Sequence, residues 1–188
     1  MADIFISFIH EEEAFAKEVQ EFLTTVIPSI TPFMASDRFQ MYAGEIWLDR
    51  ILQELKGARV LLLMLSDVSV ERPWVNFEAG AAWLNGSKVI PVCFGKLKKD
   101  SLPKPYSSLQ ALDLLDSGDQ EYLARSVAHH IGVEEPAFPT ALDYLGLSHL
   151  AGEAYQLKIK RGELGLNSLQ KGLQLLLRAE TETESAET

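Results

Sequence analysis

One carboxylate and one indole lie four residues apart, directly after a strongly apolar segment of the chain. Residues 58–65 (A-R-V-L-L-L-M-L) are almost uninterruptedly hydrophobic, which is typical of a strand buried on both faces of a parallel sheet. Pro73 ends the polar loop that follows, and the next residues predict a helix on which Trp74 and Glu78 share one face. Because open α/β sheets bind ligands outside the carboxyl ends of their strands, this pair defines a candidate ligand site.

The elements that must position this pair are short strands and helices that alternate along the chain. Strands are predicted at residues 3–8, 30–35, 58–65, 88–94 and 109–114, and helices at 10–25, 45–56, 74–83 and 119–131. This alternation over roughly the first 132 residues predicts a doubly wound, flavodoxin-like α/β fold. We therefore expect a five-stranded parallel sheet flanked by helices.

Composition limits the class of protein. The chain has 188 residues, a formal net charge of −10, 47% hydrophobic residues and one cysteine, Cys93. A lone cysteine forms no internal disulfide and no cysteine-rich metal site, and no histidine shows metal-ligand spacing with carboxylates. The negative charge argues against a broad nucleic-acid-binding surface, and no segment approaches the ~18 apolar residues of a membrane span. We expect a cytoplasmic protein that binds no metal, nucleic acid or membrane.

The chain is predicted to divide into three parts. Residues 1–133 contain the sheet, and Pro136 marks a break after it. Residues 134–179 are predicted to form a helical extension that either packs on the sheet domain or serves in docking or self-association. Its apolar positions follow a helical repeat at Leu166, Leu169, Leu173, Leu176 and Leu177. Residues 180–188 are predicted to be a disordered acidic tail.

Four segments, taken in order, resemble the Toll/interleukin-1 receptor (TIR) domain. Residues 3–8 (D-I-F-I-S-F), followed by an acidic helix start, are similar to its opening box. Residues 36–47 (S-D-R-F-Q-M-Y-A-G-E-I-W) resemble the loop after its second strand, and residues 103–112 resemble a bacterial TIR segment. Between these two lies the remaining segment, Leu65-Ser66 with Trp74-x-x-x-Glu78, which resembles the tryptophan-to-glutamate spacing of TIR domains that cleave NAD.

The resemblance implies an NAD+ nucleosidase that uses no cofactor and takes NAD+ as its substrate. Its products would be nicotinamide and either ADP-ribose or a cyclic ADP-ribose isomer, in bacterial antiphage defence signalling. Glu78 is the implied catalytic residue. The implied substrate-binding residues are Phe8, Ile9, His10, Asp37, Arg38, Gly44, Ile46, Trp47, Ser66 and Trp74.

The resemblance also concerns partners. It implies self-association through TIR–TIR contacts and a separate sensor protein. The loop of residues 36–44 is expected to gate the pocket or to contact a neighbouring subunit. Members of the family often carry basic residues after the first strand, where this chain has the run Phe8-Ile9-His10.

The chemistry of NAD+ is compatible with a single carboxylate. Nicotinamide leaves the ribose as a neutral ring, so no acid is required to protonate it, unlike the leaving group of an ordinary glycosidase. A carboxylate near ribose C1′ stabilises an oxocarbenium-like transition state or holds a ribose hydroxyl. Glu78 suits this role, with Trp74 and Phe8 as expected pocket walls. No G-x-G-x-x-G sequence follows the first strand, which disfavours a hydride-transferring Rossmann enzyme.

Other interpretations stay open at this stage. The protein is alternatively a non-catalytic TIR interaction module, or an enzyme like the nucleoside deoxyribosyltransferases, which also use a glutamate on a doubly wound sheet. At the level of residues, Glu78 is alternatively a surface glutamate paired with Arg72 or a lysine. Trp74 is alternatively a packing anchor, and Asp37 and Arg38 are alternatively turn residues.

Overall fold

The computed structural model describes residues 2–34, 47–136 and 138, without the side chains of Trp47 and Ser117. Strands and helices alternate along it. The strands are Ile4–Ser7 (β1), Pro32–Met34 (β2), Val60–Leu65 (β3), Lys88–Cys93 (β4) and Leu112–Asp113 (β5). The helices are Glu13–Val26 (α1), Trp47–Gly57 (α2), Pro73–Leu84 (α3) and Ser117–Ile131 (α4).

The five strands form one all-parallel sheet in the order β2-β1-β3-β4-β5. The doubly wound five-stranded sheet predicted from the sequence is therefore confirmed. In this order the chain winds in opposite directions from β1, so the switch point lies between β1 and β3. Ser7, the last residue of β1, pairs in register with Leu63 of β3. The carboxyl ends of both strands meet at one edge of the sheet, where ligands bind in such folds.

The sheet separates two apolar layers. Val60, Leu62 and Met64 of β3 point toward α1 and α4, whereas the intervening leucines point toward α2 and α3. All six residues of β3 are fully buried, as the uninterrupted apolar run predicted. Each layer buries a contiguous cluster of side chains, so the switch point lies between two closely packed apolar layers.

The ends of the elements differ in detail from the predicted bounds. The fifth strand is shorter than predicted because it pairs with β4 through Leu112 and Asp113 alone. The last helix starts at Ser117, preceded by Asp116, whose side chain accepts a hydrogen bond from the Gly118 amide at 2.8 Å. No helix in the described part of the chain is long and apolar enough to cross a membrane.

Three predicted segments fall largely outside the structure. The predicted gating loop of residues 36–44 and the acidic tail of residues 180–188 lie outside the described residues. The predicted extension of residues 134–179 is described only at 134–136 and 138. These assignments therefore stay predictions.

Candidate active site

Glu78 lies in the second turn of α3 and has no exposed surface. Its Oε2 accepts a hydrogen bond from the Ser7 hydroxyl at 2.5 Å, and its Oε1 accepts one from the Trp74 indole Nε1 at 2.7 Å. Ser7 ends β1 at the switch point, and Trp74 precedes Glu78 by one helical turn. Both carboxylate oxygens are therefore held by neutral donors from two different elements.

The interpretation of Glu78 as a surface glutamate is wrong. Its carboxylate is completely buried, and Arg72 pairs instead with Glu11, with 3.3 Å between Nη2 and Oε1. That ion pair is exposed on both sides, so it contributes little to stability. Glu11 is thus exposed to solvent, whereas burial disfavours the charged form of Glu78.

Burial has a large effect on the ionisation of Glu78. It raises the pKa of the carboxyl group from 4.5 to about 7, although the hydrogen bonds from Ser7 and Trp74 act in the opposite direction. Desolvation wins because the donors are neutral and only partly replace the water that the charge has lost. Near neutral pH the group is present in both protonation states, a common property of functional carboxylates.

Trp74 contributes a hydrogen-bond donor and an aromatic ring surface to this site. Its indole N–H points to Glu78, and its ring lies against Phe77, with 5.1 Å between ring centroids and an interplanar angle of 31°. Trp74 is half-buried and Phe77 is exposed. The indole therefore both packs and donates to the carboxylate, so the two interpretations of Trp74 as an anchor and as part of a site are compatible.

Ser66 follows β3 and is buried. Its hydroxyl donates to Glu12 Oε1 at 2.5 Å and accepts from the amides of Val68 and Ser69, both at 3.1 Å. Asp67 is exposed in the same turn. The resemblance implied substrate binding by Ser66, whereas the contacts in the structure connect it to the turn and to a second glutamate.

Three consecutive residues after β1 take different positions. Phe8 is buried in the layer of α1 and α4, and Ile9 packs against the layer of α2 and α3, because successive side chains of an extended segment point to opposite faces. His10 is exposed, and its Nδ1 lies 3.4 Å from Glu13 Oε2. The structure thus brings Ile9 into the layer of Trp74 and Glu78, and it places the expected pocket wall Phe8 on the other face.

The remaining implied substrate contacts stay predictions. Asp37, Arg38, Gly44 and Ile46 lie outside the described residues, and Trp47 is described only through its backbone, as the first residue of α2.

Two polar residues at this edge were missed as site residues in the sequence. Ser7 is the one polar side chain of β1, and Glu12, part of the acidic helix start in the sequence, is buried beside Ser66. A signal existed for Ser7, because a polar side chain on a fully buried strand must have a hydrogen-bond partner. Its partner is 71 residues away, so the sequence did not identify it.

Neither cysteine nor metal chemistry is indicated in the described part of the chain. Cys93 is buried at the end of β4, and burial, followed by the nearby Asp113 carboxylate, raises the pKa of its thiol to about 12. Such a thiol stays protonated and unreactive, as expected for a packing residue. Among the described residues, no group of three or more histidine, cysteine, aspartate or glutamate side chains is placed to hold a metal ion.

The sequence matches the TIR domain family over residues 4–127. The chain belongs to the TIR domain family. No curated protein matches the sequence significantly.

Solved TIR structures share this fold. The TIR domain of the Toll-related receptor TRR-2 from Hydra magnipapillata is 13% identical, with a TM-score of 0.57 over 70% of this chain and 99% of that one. A metazoan TIR-STING receptor from C. gigas, solved in complex with 2',3'-cGAMP, is 21% identical, with a TM-score of 0.54 over 74% of this chain and 41% of that one. At these identities the similarity concerns the fold.

Proposed function

We propose that this TIR domain cleaves the bond between nicotinamide and ribose in NAD+, with Glu78 as the catalytic carboxylate. The observation that carries the proposal is the geometry of Glu78: a fully buried carboxylate at the β1/β3 switch point, with Ser7 and Trp74 each holding one oxygen. A carboxylate aimed and desolvated in this way is prepared to stabilise a positive charge, because Coulomb interactions are stronger out of water.

The proposed reaction places that positive charge on the ribose. The C1′–N1 bond breaks, its electron pair stays on the pyridine nitrogen, and nicotinamide leaves as a neutral molecule. Ionised Glu78 stabilises the oxocarbenium-like ribose that remains. Water then adds to C1′ and releases a proton, which yields ADP-ribose, or a nucleophile from the ADP part adds instead and yields a cyclic isomer.

Substrate binding must change the surroundings of Glu78. Each of its oxygens accepts one hydrogen bond and keeps a second lone pair for a ribose hydroxyl. Because Glu78 has no exposed surface, access requires a local rearrangement at this edge, and the half-buried Trp74 is the adjacent group that solvent reaches. The proposal therefore includes a change in the Trp74 ring position on binding.

Self-association is the second part of the proposal. The helix α3 exposes uncharged side chains, among them Phe77, Trp83 and Leu84, the last 93% exposed. Apolar side chains grouped on one helix favour a protein partner, and we propose a second copy of this chain, with a separate sensor protein to control assembly. The assignment to bacterial antiphage defence depends on the sequence resemblance alone.

The same exposed side chains favour the second candidate function, a TIR interaction module without catalysis. The two candidates share the fold and the surface, and they differ in whether Glu78 acts on a substrate. A deoxyribosyltransferase-like activity is distinguished by its substrate, since it would act on nucleosides and leave NAD+ intact.

Release of nicotinamide from NAD+ by the purified protein tests the proposal. Glutamine at position 78 can still accept from the Trp74 indole with its amide oxygen and donate to the Ser7 hydroxyl with its NH2 group, but it carries no charge. We therefore expect the rate to fall by about 10²–10³-fold. Glu71→Gln is the matched control, because Glu71 is exposed in the loop before α3, and we expect it to keep the parent rate.

Two outcomes would contradict the proposal. Parent activity in folded Glu78→Gln protein would remove Glu78 from catalysis. No nicotinamide release by the parent protein at any concentration, together with self-association, would identify the interaction module instead.

A further inference from the structure

A second glutamate is buried at the same edge of the sheet. Glu12 is 4% exposed and lies in the single helical turn between β1 and α1. Its Oε1 accepts a hydrogen bond from the Ser66 hydroxyl at 2.5 Å, across 54 residues of sequence. A buried carboxylate is costly unless it is well bonded, so its position here requires a structural or functional reason.

The hydroxyl of Ser66 is the centre of a small hydrogen-bond network. Besides donating to Glu12, it accepts from the amides of Val68 and Ser69 at 3.1 Å. The Ser66 amide donates in turn to the Ser69 hydroxyl at 2.7 Å, and that hydroxyl donates to the Met64 carbonyl at 3.2 Å. The side chains of Ser66 and Ser69 therefore hold the turn after β3 together through hydrogen bonds to its backbone.

Glu12 controls the direction of these bonds. A serine hydroxyl has one proton and two lone pairs. When the proton is given to Glu12, both lone pairs of Ser66 face the turn and accept its two amides. Without this acceptor, the hydroxyl turns its proton to the Ser69 hydroxyl, 3.2 Å away, and its two lone pairs no longer both face the amides. The carboxylate thus orients the network.

The two serine–glutamate pairs connect the same two strands from opposite faces. Ser7 lies between Phe5 and Ile9, which point to the layer of α2 and α3, and it bonds Glu78, which follows β3 in the chain. Ser66 follows Met64, which points to the layer of α1 and α4, and it bonds a glutamate that follows β1. The serine at the end of β1 therefore bonds the glutamate that follows β3, and the serine after β3 bonds the glutamate that follows β1.

We propose that Glu12 is a positioning residue for Glu78. Through Ser66 it fixes the turn of residues 66–72, and α3 starts at the next residue, Pro73, one position before Trp74. A turn that loses this order shifts the start of α3 and lengthens the hydrogen bonds that aim the Glu78 carboxylate. Glu12 touches no reacting atom in this role. The effect on catalysis rests on the proposed function, whereas the effect on geometry does not.

The indole N–H of Trp74 reports the geometry directly, because it donates to Glu78. Its NMR signal is assigned by comparison with Trp74→Phe. We expect Glu12→Ala and Ser66→Ala to shift or broaden that signal. Glu12→Gln, whose amide oxygen still accepts from Ser66, should keep it near the parent position. Glu21→Gln is the control, because Glu21 is exposed in α1, the helix that follows Glu12.

Kinetics with NAD+ form the second readout. A misaimed carboxylate lowers transition-state stabilisation more than substrate binding, so we expect kcat to fall about tenfold or more in Glu12→Ala and Ser66→Ala while KM changes less than about twofold. Glu12→Gln should restore most of kcat. Glu21→Gln should match the parent in both kcat and KM.

The outcomes separate this inference from the proposed function. Folded Ser66→Ala and Glu12→Gln proteins are informative even if Glu12→Ala does not fold. An unmoved indole signal in Ser66→Ala would overturn the positioning role, whether or not NAD+ is cleaved. A moved signal in a protein whose parent form cleaves no NAD+ would support the positioning role and overturn the proposed function.

Discussion

At the scale of single residues, opposing effects act on the Glu78 carboxylate. Two short hydrogen bonds favour its charged form, and loss of water disfavours it. The rise of its pKa from 4.5 to about 7 shows that desolvation is the larger effect, and the difference corresponds to about 3 kcal/mol. In the proposed reaction, a carboxylate whose charge is held against this cost would stabilise the cationic transition state more strongly than a solvated one.

This conflict predicts a pH-dependent stability. The folded-state pKa of Glu78 lies above its unfolded value of 4.5. Ionisation of Glu78 therefore leaves the free energy of unfolding unchanged below pH ~4.5 and lowers it as the pH rises. The loss is complete above pH ~7. Glu78→Gln, which resembles the protonated acid, should therefore match the parent in acid and exceed its unfolding free energy by about 2–3 kcal/mol at pH ~8.

Denaturant unfolding of the parent and of Glu78→Gln across this pH range measures the effect. Glu71→Gln is again the exposed control and should show no such trend. A difference between Glu78→Gln and the parent that does not change with pH would mean that the Glu78 pKa is not raised.

At the scale of elements, α3 carries the site and is apolar on nearly every side. Its inner face presents Val75, Ala79 and Ala82 to the sheet, and small side chains there let the helix lie close to β3. Asn76 ties the start of the helix by donating to the carbonyls of Val70 at 3.3 Å and Arg72 at 3.0 Å. A helix without a polar outer face is typical of one that a further surface covers.

Two glycines around α3 predict opposite effects of the same substitution. Gly80 lies inside the helix and Gly86 follows it at φ +83°, and a Cβ at either position would meet nothing within 4 Å. Only backbone conformation therefore differs. Gly80→Ala should stabilise the fold by about 0.5–1 kcal/mol, since alanine is the better helix former, whereas Gly86→Ala should cost about 1 kcal/mol in the left-handed region.

Thermal or denaturant unfolding of the two variants measures both effects under one condition. Stabilisation by Gly86→Ala would contradict the left-handed turn that ends α3. Destabilisation of the isolated chain by Gly80→Ala would show that the space beside Gly80 is occupied.

At the scale of the whole molecule, the two faces of the sheet differ in what they expose. The outer side of α3 exposes Phe77, Trp83 and Leu84, and α4 on the opposite face exposes Tyr122 among charged neighbours. The chain carries a net charge of −10, which opposes close approach of two copies unless apolar contacts offset it. Association at the α3 face would use a helix whose one charged residue, Glu78, is buried.

We expect NAD+ cleavage per molecule to rise with protein concentration. An association equilibrium changes its bound fraction steeply over about a hundredfold range of concentration, so activity should follow it. Leu84→Lys places a charge on the α3 face, where Leu84 is 93% exposed, and should lower both association and activity without lowering stability.

Tyr122→Lys is the matched control, because Tyr122 is 50% exposed on the opposite face of the sheet. Sedimentation and specific activity are measured on the same dilution series. Activity per molecule that stays constant on dilution would show that one chain forms the complete site.

Much of the fold follows from local patterns in the sequence. The buried run before Ser66 predicts the central strand, and the spacing of Trp74 and Glu78 predicts that they share a helix face; the structure adds that they are bonded at 2.7 Å. Neighbouring residues decide these features, because helix and strand periodicities are set within a few positions. The bounds of the short edge strand β5 were less accurate, since tertiary pairing with β4 decides them.

The serine partners of the two buried glutamates were decided by the tertiary structure alone. Ser7 meets Glu78 across 71 residues and Ser66 meets Glu12 across 54, and no periodicity links residues so far apart. In the sequence, Glu78 is a candidate site residue without a serine partner, and Glu12 looks like an ordinary helix-start acid. Only the parallel sheet, by bringing the ends of β1 and β3 to one edge, removes water from both carboxylates and leaves a serine hydroxyl beside each.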